Sequence, residues 1–209
     1  MAGSKKLTGK HLEDAMKMLR ALAELFDRHS LHYSLDAGTL LGVMRENRLL
    51  PWDTDMDLMI PSTQWQLLVS LRKAIHKAGY ITRIRRTTIA VGPLAKGTPR
   101  LLRVYTRRWF FLKGEQLMDI FVKYKVGDKY FWTVDSRNPI VQSCPAASLD
   151  ELTRHDFAGC SYNIPRDYDA YLTHHYGNWR EVRKDWNFRR EDRSNTSASE
   201  WIKANGADG

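Results

Sequence analysis

Cysteine is scarce in this sequence: 209 residues carry only Cys144 and Cys160, with no C-x-x-C spacing. That excludes a disulfide framework and a cysteine-based structural zinc site, leaving two free or buried thiols. No apolar run approaches the ~20 residues that span a bilayer, and Met1 to Lys6 leads into a charged helix rather than a signal-peptide core. As it stands, the chain therefore reads as soluble, untargeted and cytoplasmic. Internal repeats and low-complexity tracts are also absent, and a hydrophobic content of 43% excludes fibrous and disordered classes. The length suits one domain, residues 1–191, followed by a polar tail, 192–209, expected to fray.

Cationic charge is plentiful. Lys plus Arg number 33 against 24 Asp plus Glu, a net charge of +9. This points to acidic partners such as nucleotides, phosphorylated glycans, nucleic acid or anionic lipid, without choosing among them.

Apolar residues at three- and four-residue steps from Leu12 to Phe26 predict an amphipathic helix over 11–29. A short strand is expected at 32–36, and a turn at Gly38-Thr39 opens a second helix through Met44. The alternating run Asp53 to Leu58 continues into Met59-Ile60, which reads as a strand with carboxylates on one face. A helix capped by Ser62 or Thr63 follows and stops at Gly79. Four β-rich runs come next, at 80–91, 101–111, 116–126 and 129–134, giving an antiparallel extension of the sheet. Beyond Pro139, a strand at 157–164 and a helix at 166–175 closed by Gly177 complete an α+β unit.

The segment from Asp36 to Ile60 carries the chemistry. Carboxylates at i and i+2 of a strand lie about 6–7 Å apart on one face. At that separation two charges repel by roughly 3 kcal/mol at an effective dielectric of 20, so the arrangement makes sense mainly around a divalent cation. Gly38-Thr39 offers helix-terminal N–H groups and a hydroxyl, a seat for phosphate that carboxylate-held Mg²⁺ would bridge. Asp119, isolated in the apolar run Leu117 to Phe121, is a candidate third ligand or general base. A calcium loop counted from Asp53 fails, because its sixth and twelfth positions are Leu58 and Gln64. A solvated edge strand is countered by the flanking Trp52 and Leu58-Met59-Ile60.

Leu35-Asp36-Ala37-Gly38-Thr39-Leu40-Leu41-Gly42-Val43-Met44-Arg45, followed by Leu50-Pro51-Trp52-Asp53-Thr54-Asp55-Met56-Asp57-Leu58, resembles the signature of the LicD/fukutin family. Tyr171-Leu172 and Tyr176-Gly177-x-Trp179 resemble its closing helix and loop. The resemblance implies a nucleotidyltransferase-like mixed sheet flanked by helices. It also implies transfer of a phospho-alcohol, such as phosphocholine or ribitol phosphate, from a CDP-linked donor to a glycan or glycolipid hydroxyl. Carried over residue by residue, Asp55 and Asp57 become ligands of Mg²⁺, with Mn²⁺ as a substitute. Asp53 becomes an outer or alternative ligand, Gly38 and Thr39 the donor-phosphate cradle, and Asp119 the third acid. Arg45, a few residues past the glycine turn and inside the matched motif, is placed to stabilise the leaving phosphate. For an excised piece of a longer chain, the Golgi lumen is the alternative compartment.

Two other readings use the same residues. One is nucleotidyl transfer to a nucleic-acid end or a small phosphate; the other is a non-catalytic basic module for nucleic acid or anionic glycan, although nucleic acid is the less favoured partner. Arg83, Arg85, Arg86, Arg100, Arg103, Arg107, Arg108 and Lys113 form a basic block interleaved with Tyr105, Trp109, Phe110 and Phe111. Its ordinary reading is a solvated strand face over core aromatics. A second basic run, Arg180 to Arg193, surrounds Trp186 and Phe188. His174 and His175, adjacent on a helix, are expected at the surface.

Overall fold

The computed structural model describes residues 5–109, 112–135, 138–184 and 186–196. A seven-stranded mixed sheet is built around one long strand, β5 (Leu112–Val126). The first part of β5 lies between β2 (Met56–Pro61), which is parallel to it, and β4 (Pro99–Arg108), which is antiparallel. Beyond β2 comes the two-residue β1 (Ser34–Leu35), and beyond β4 comes β3 (Tyr80–Arg86). The end of β5 pairs with β6 (Lys129–Val134), which in turn pairs with β7 (Ile140–Pro145). The antiparallel extension is thus present on a mixed sheet.

Helix α1 (Gly9–Arg28) buries Ala15, Met18, Leu19, Leu22 and Phe26, the stripe that its periodicity predicts. It packs on β5 and on α4 (Arg72–Lys77), which also contacts β3. Together with Leu58, Ile60, Leu102, Val104, Met118, Ile120 and Val122 these residues form one core. Helix α2 (Ala37–Glu46) packs on β2 and on α6 (Tyr168–Tyr176), which ends at Gly177 as expected. Gly177 has φ +69, a left-handed backbone that favours glycine, and a Cβ there would lie 2.7 Å from the Arg193 guanidinium and displace it. No described helix is long and apolar enough to cross a membrane.

Several boundaries differ from the sequence expectation. The predicted helix after Pro61 is a single 3₁₀ turn, Ser62–Gln64, then α3 (Trp65–Ser70) and α4, divided at Leu71. The single strand expected at 157–164 is a hairpin, β8 (Leu152–Phe157) and β9 (Cys160–Pro165), turning at Ala158-Gly159, both at positive φ. Strand β7 lies where the sequence pattern predicts no strand. Short helix α5 (Ala147–Asp150) links β7 to β8, and α7 (Phe188–Glu191) follows the loop after α6.

The tail also needs correcting. Residues 192–196 are part of the fold: Ser143 N–H donates to the Ser194 carbonyl at 2.8 Å and Thr196 N–H to the Val141 carbonyl at 2.9 Å. Asp192 is buried, accepting from Gln142 at 2.8 Å and Ser194 Oγ at 2.6 Å. Residues 197–209 lie outside the described residues. His175 is likewise buried, against Asp192, and His174 is half-buried with Nε2 2.8 Å from the Ser143 carbonyl oxygen, so neither is a free surface residue. Both cysteines are unpaired, as expected.

Candidate active site

The acidic segment is a turn running into a strand rather than a strand throughout. Strand β2 begins at Met56, so Asp57 alone of the three lies on it, while Asp53 and Asp55 sit in the turn before it. Aspartate disfavours pleated backbone, and the turn spreads charges that one strand face would stack. Backbone bonds pin Asp57 from both sides. Asp36 N–H donates to the Asp57 carbonyl at 3.0 Å, and Asp57 N–H donates to Thr39 Oγ1 at 2.8 Å. Thr39 is buried and its oxygen holds Asp57 rather than facing the cleft.

Gly38, in the first turn of α2, has a reason to lack a side chain: a Cβ would collide with the Asp53 carboxylate. The turn after the helix explains Gly42 in the same way, since a Cβ there would lie 2.5 Å from the Arg48 carbonyl oxygen. Asp36, at the N-cap of α2, makes no side-chain cap, so the first N–H groups of α2 keep their donors beside Asp53. Gly38→Ala is expected to push the Asp53 carboxylate aside and impair the function of the cleft, with stability changed by no more than about 1 kcal/mol because Ala is the better helix former. Matched melting curves and initial rates check this.

The carboxylates are short of compensation. Asp55 accepts from Gln116 Nε2 at 2.7 Å and from Thr54 Oγ1 at 3.3 Å. No donor among the described residues reaches the Asp57 carboxylate. Burial first, then Asp55 and Asp119, push the Asp57 carboxyl well above the usual carboxylate range. Burial and the Asp119 charge raise Asp55 to about 7, and burial raises Asp53 to about 6 against the pull of Arg45.

Asp119 stands beside Asp57 in the β2–β5 register and beside Arg103 in the β4–β5 register. Arg103 holds it in a fork, Nε to Oδ1 at 2.8 Å and Nη2 to Oδ2 at 2.6 Å. It is buried behind the cleft wall, with its acceptors engaged. Among the described residues, no three His, Cys, Asp or Glu side chains converge as a ready-made metal cage. Asp57, half-buried and with no donor among the described residues, and Asp55 nearby are the oxygen ligands that would hold a hard cation such as Mg²⁺ together with substrate phosphates and water.

A cleft of about 410 Å³ opens over these acids. Its floor includes Ala37, Gly38, Asp53, Asp55, Asp57 and Phe121. Its roof comes from residues 178–184 and 186–188; the Trp186 ring lies 4.7 Å from that of Tyr176, and Lys184 Nζ sits 5.7 Å over Trp52. Arg45 ties roof to floor, donating to the carbonyls of Trp179 and Glu181 at 3.3 Å and pairing with Glu46 at 2.7 Å. Beneath α2, Lys123 is wholly buried, 2.8 Å from Asp36 and 2.5 Å from Tyr171 Oη, with the Trp132 ring 4.0 Å away. The sequence reading missed Lys123, Tyr171 as an acid partner, Gln116 and the roof. A lysine inside the apolar run Ile120-Phe121-Val122-Lys123 was the available signal.

The mixed sheet and the start of α2 thus bring Asp53, Asp55 and Asp57 to the lining of one cleft. The profile of the family described as LicD/FKTN/FKRP, nucleotidyltransferase domain, matches residues 30–167, and the chain belongs to that family. An uncharacterised protein of Rickettsia typhi is 22% identical over 163 residues, covering 78% of this chain and 45% of that protein. One from Rickettsia prowazekii is 23% identical over 128 residues, covering 61% and 40%. The chain thus spans less than half the length of these relatives. The lipopolysaccharide cholinephosphotransferase LicD of Haemophilus influenzae is 36% identical over 47 residues, 22% of this chain and 18% of that enzyme. Among solved structures, ANT(2")-Ia in complex with adenylyl-2"-tobramycin aligns over 94% of this chain and 90% of that one, at 17% identity and a TM-score of 0.44.

Proposed function

We propose that this chain is a Mg²⁺-dependent transferase that moves a phospho-alcohol from a CDP-linked donor to a hydroxyl of a glycan or glycolipid. The observation that carries the reading is the desolvated trio Asp53, Asp55 and Asp57 against the uncapped start of α2. Family membership and the short match to the Haemophilus cholinephosphotransferase support the donor class.

Asp55 and Asp57 would hold the cation, which when bound supplies charge neutralisation for the donor's phosphates. The free N–H groups of α2 seat a phosphate oxygen at the positive helix end. Lys184, on the roof, offers a cation to the departing nucleotide phosphate, and Arg45 keeps that roof in place. Asp53, at about 6, is ionised yet weakly basic at neutral pH, the property required to take the incoming hydroxyl's proton. Asp119 and Arg103 act from behind, through Asp57.

Phosphorus NMR of CDP-choline with the protein and Mg²⁺ tests this reading. With H₂¹⁸O standing in for the acceptor hydroxyl, attack at the phosphorus bearing choline gives CMP and puts ¹⁸O into the phosphocholine, and that labelling is expected, abolished by Asp55→Asn. ¹⁸O appearing in CMP instead would place the attack at the other phosphorus and overturn the assignment. Turnover by Asp55→Asn equal to wild type would remove the acids from the mechanism.

A further inference from the structure

The acids of the cleft begin a row that crosses the sheet. Register puts Asp57 of β2 beside Asp119 of β5, Asp119 beside Arg103 of β4, and Arg103 beside Arg83 of β3. Directly paired residues of neighbouring strands share a face, so all four side chains rise from the side of the sheet that floors the cleft through Asp57 and Phe121. The alternation along β3 agrees. Thr82 is buried and bonded to Arg72 and His76 of α4, whereas Arg83 and Arg85 are exposed on the opposite side. Two positions apart on one strand face, they stand about 6–7 Å from each other.

Positive charge at this end of the row exceeds what the protein compensates. Arg103 is spent on Asp119. Arg83 stands directly opposite Arg103, a like-charge cross-strand pair that is unfavourable by itself. Arg100 is buried and donates to the Thr133 hydroxyl and carbonyl, each at 3.3 Å. Burial first, and then Arg103 and Arg85 against the pull of Asp119, hold its guanidinium below the ordinary value. Arg83 and Arg85 themselves make no ion pair and no side-chain hydrogen bond among the described residues. An anion from outside the chain would relieve all of these repulsions at once.

We propose that Arg83 and Arg85 bind an anionic group, a phosphate or a carboxylate, on the acceptor glycan while its hydroxyl reaches the cleft. Calling that ligand the acceptor rests on the transferase reading above; the binding itself does not. A guanidinium fork fits either oxyanion with two parallel hydrogen bonds. Along the row, three strand spacings separate Arg83 from Asp57, about 14 Å. The two phosphates of a donor share one bridging oxygen, so a donor seated at Asp57 leaves these arginines unoccupied. An oligosaccharide crosses that gap when its charged unit lies a sugar or two from the reacting hydroxyl. Nucleic acid is the poorer fit, because it calls for stacking rings along a cationic groove, and the open face of β3 offers Ile81, Arg83 and Arg85.

The test is a titration of the ¹⁵N-labelled whole chain, without donor or metal, followed through its arginine Nε–H signals. The probes are a phosphorylated maltotriose, trigalacturonate and neutral maltotriose. The Arg83 and Arg85 signals, assigned from Arg83→Gln and Arg85→Gln, are expected to shift saturably with an acidic probe and not with maltotriose. The tighter of the two acidic probes tells phosphate from carboxylate. Combining both substitutions should weaken that binding at least about tenfold, with the melting temperature unchanged or raised, since both side chains are exposed beside like charges. Asp57→Asn should bind as wild type does, so an inactive enzyme leaves this surface testable. Absence of a saturable shift with both acidic probes, equal shifts with maltotriose, or unchanged affinity in the double variant overturns the proposal. So does an oligothymidylate that binds more tightly than either acidic probe and loses that advantage in the double variant, which would assign the arginines to nucleic acid.

Discussion

Replacing Asp57 by Asn is expected to raise the melting temperature of the metal-free protein by roughly 2–8 °C while lowering donor turnover on the order of a thousandfold. Both effects have one cause. A carboxylate in this position is desolvated and faces Asp55 and Asp119, so its charge is unfavourable until a cation compensates it. An isosteric amide removes the repulsion, a gain of about 1–2 kcal/mol, together with the ligand. The pH dependence has a definite sign. Folded-state values of about 6 for Asp53 and about 7 for Asp55 stand above the ordinary value of 3.8, so between those limits the native state binds more protons than the unfolded chain. Stability contributed by the protonated acids is therefore lost as pH rises from about 4 to about 7. Asp36, Glu46 and Asp192 are held below their ordinary values by Lys123, Arg48 with Arg45, and His175 respectively, and are already ionised across that window. Melting curves at intervals from about pH 5 to about pH 7.5 should fall for metal-free wild type, fall less steeply for Asp57→Asn, which keeps Asp53 and Asp55, and flatten for wild type with Mg²⁺. A metal-free wild type whose stability rises over that range would show that the acids are not strained.

Lys123→Met should cost about 3–5 kcal/mol, or roughly 10 °C or more in melting temperature. Lys123 is the counter-charge of Asp36, wholly buried at 2.8 Å, and its loss leaves a carboxylate below α2 with Tyr171 Oη as its remaining donor at 2.5 Å. The double variant Lys123→Met with Asp36→Asn should recover at least half of the loss, because a buried pair replaced as a pair is far less costly than a pair broken. Urea denaturation measures both, and a loss below about 1 kcal/mol in the single variant would show that Asp36 is compensated elsewhere.

Local features of this fold were legible in the sequence where the signal was local. The α1 stripe, the span of β6 and the Gly177 stop each rest on residues within a few positions of one another. The acids, too, could be picked out, because three aspartates beside a glycine turn are costly without a cation. Their exact backbone was not: Asp53 and Asp55 form a turn because Asp57 is claimed by Asp36 N–H and Thr39, partners supplied by tertiary contact. Residues 192–196 read as a frayed polar tail because their partners, Gln142, Ser143 and His175, lie far away in sequence. The same distance hid the buried role of His175 and the lysine beneath α2. The basic block was legible only as a composition; the structure divides it into internal partners, such as Arg103 and Arg100, and the exposed arginines of β3.

The most direct measurement is calorimetric titration of CDP into wild type and Asp57→Asn, each with and without Mg²⁺. If the acid cluster and the start of α2 form a cation-dependent seat for the donor's phosphates, wild type binds CDP with Mg²⁺, loses most of that affinity without it, and Asp57→Asn shows no Mg²⁺ dependence. Binding of CDP that is equally tight with and without Mg²⁺, and unchanged in Asp57→Asn, would contradict the assignment of this cleft.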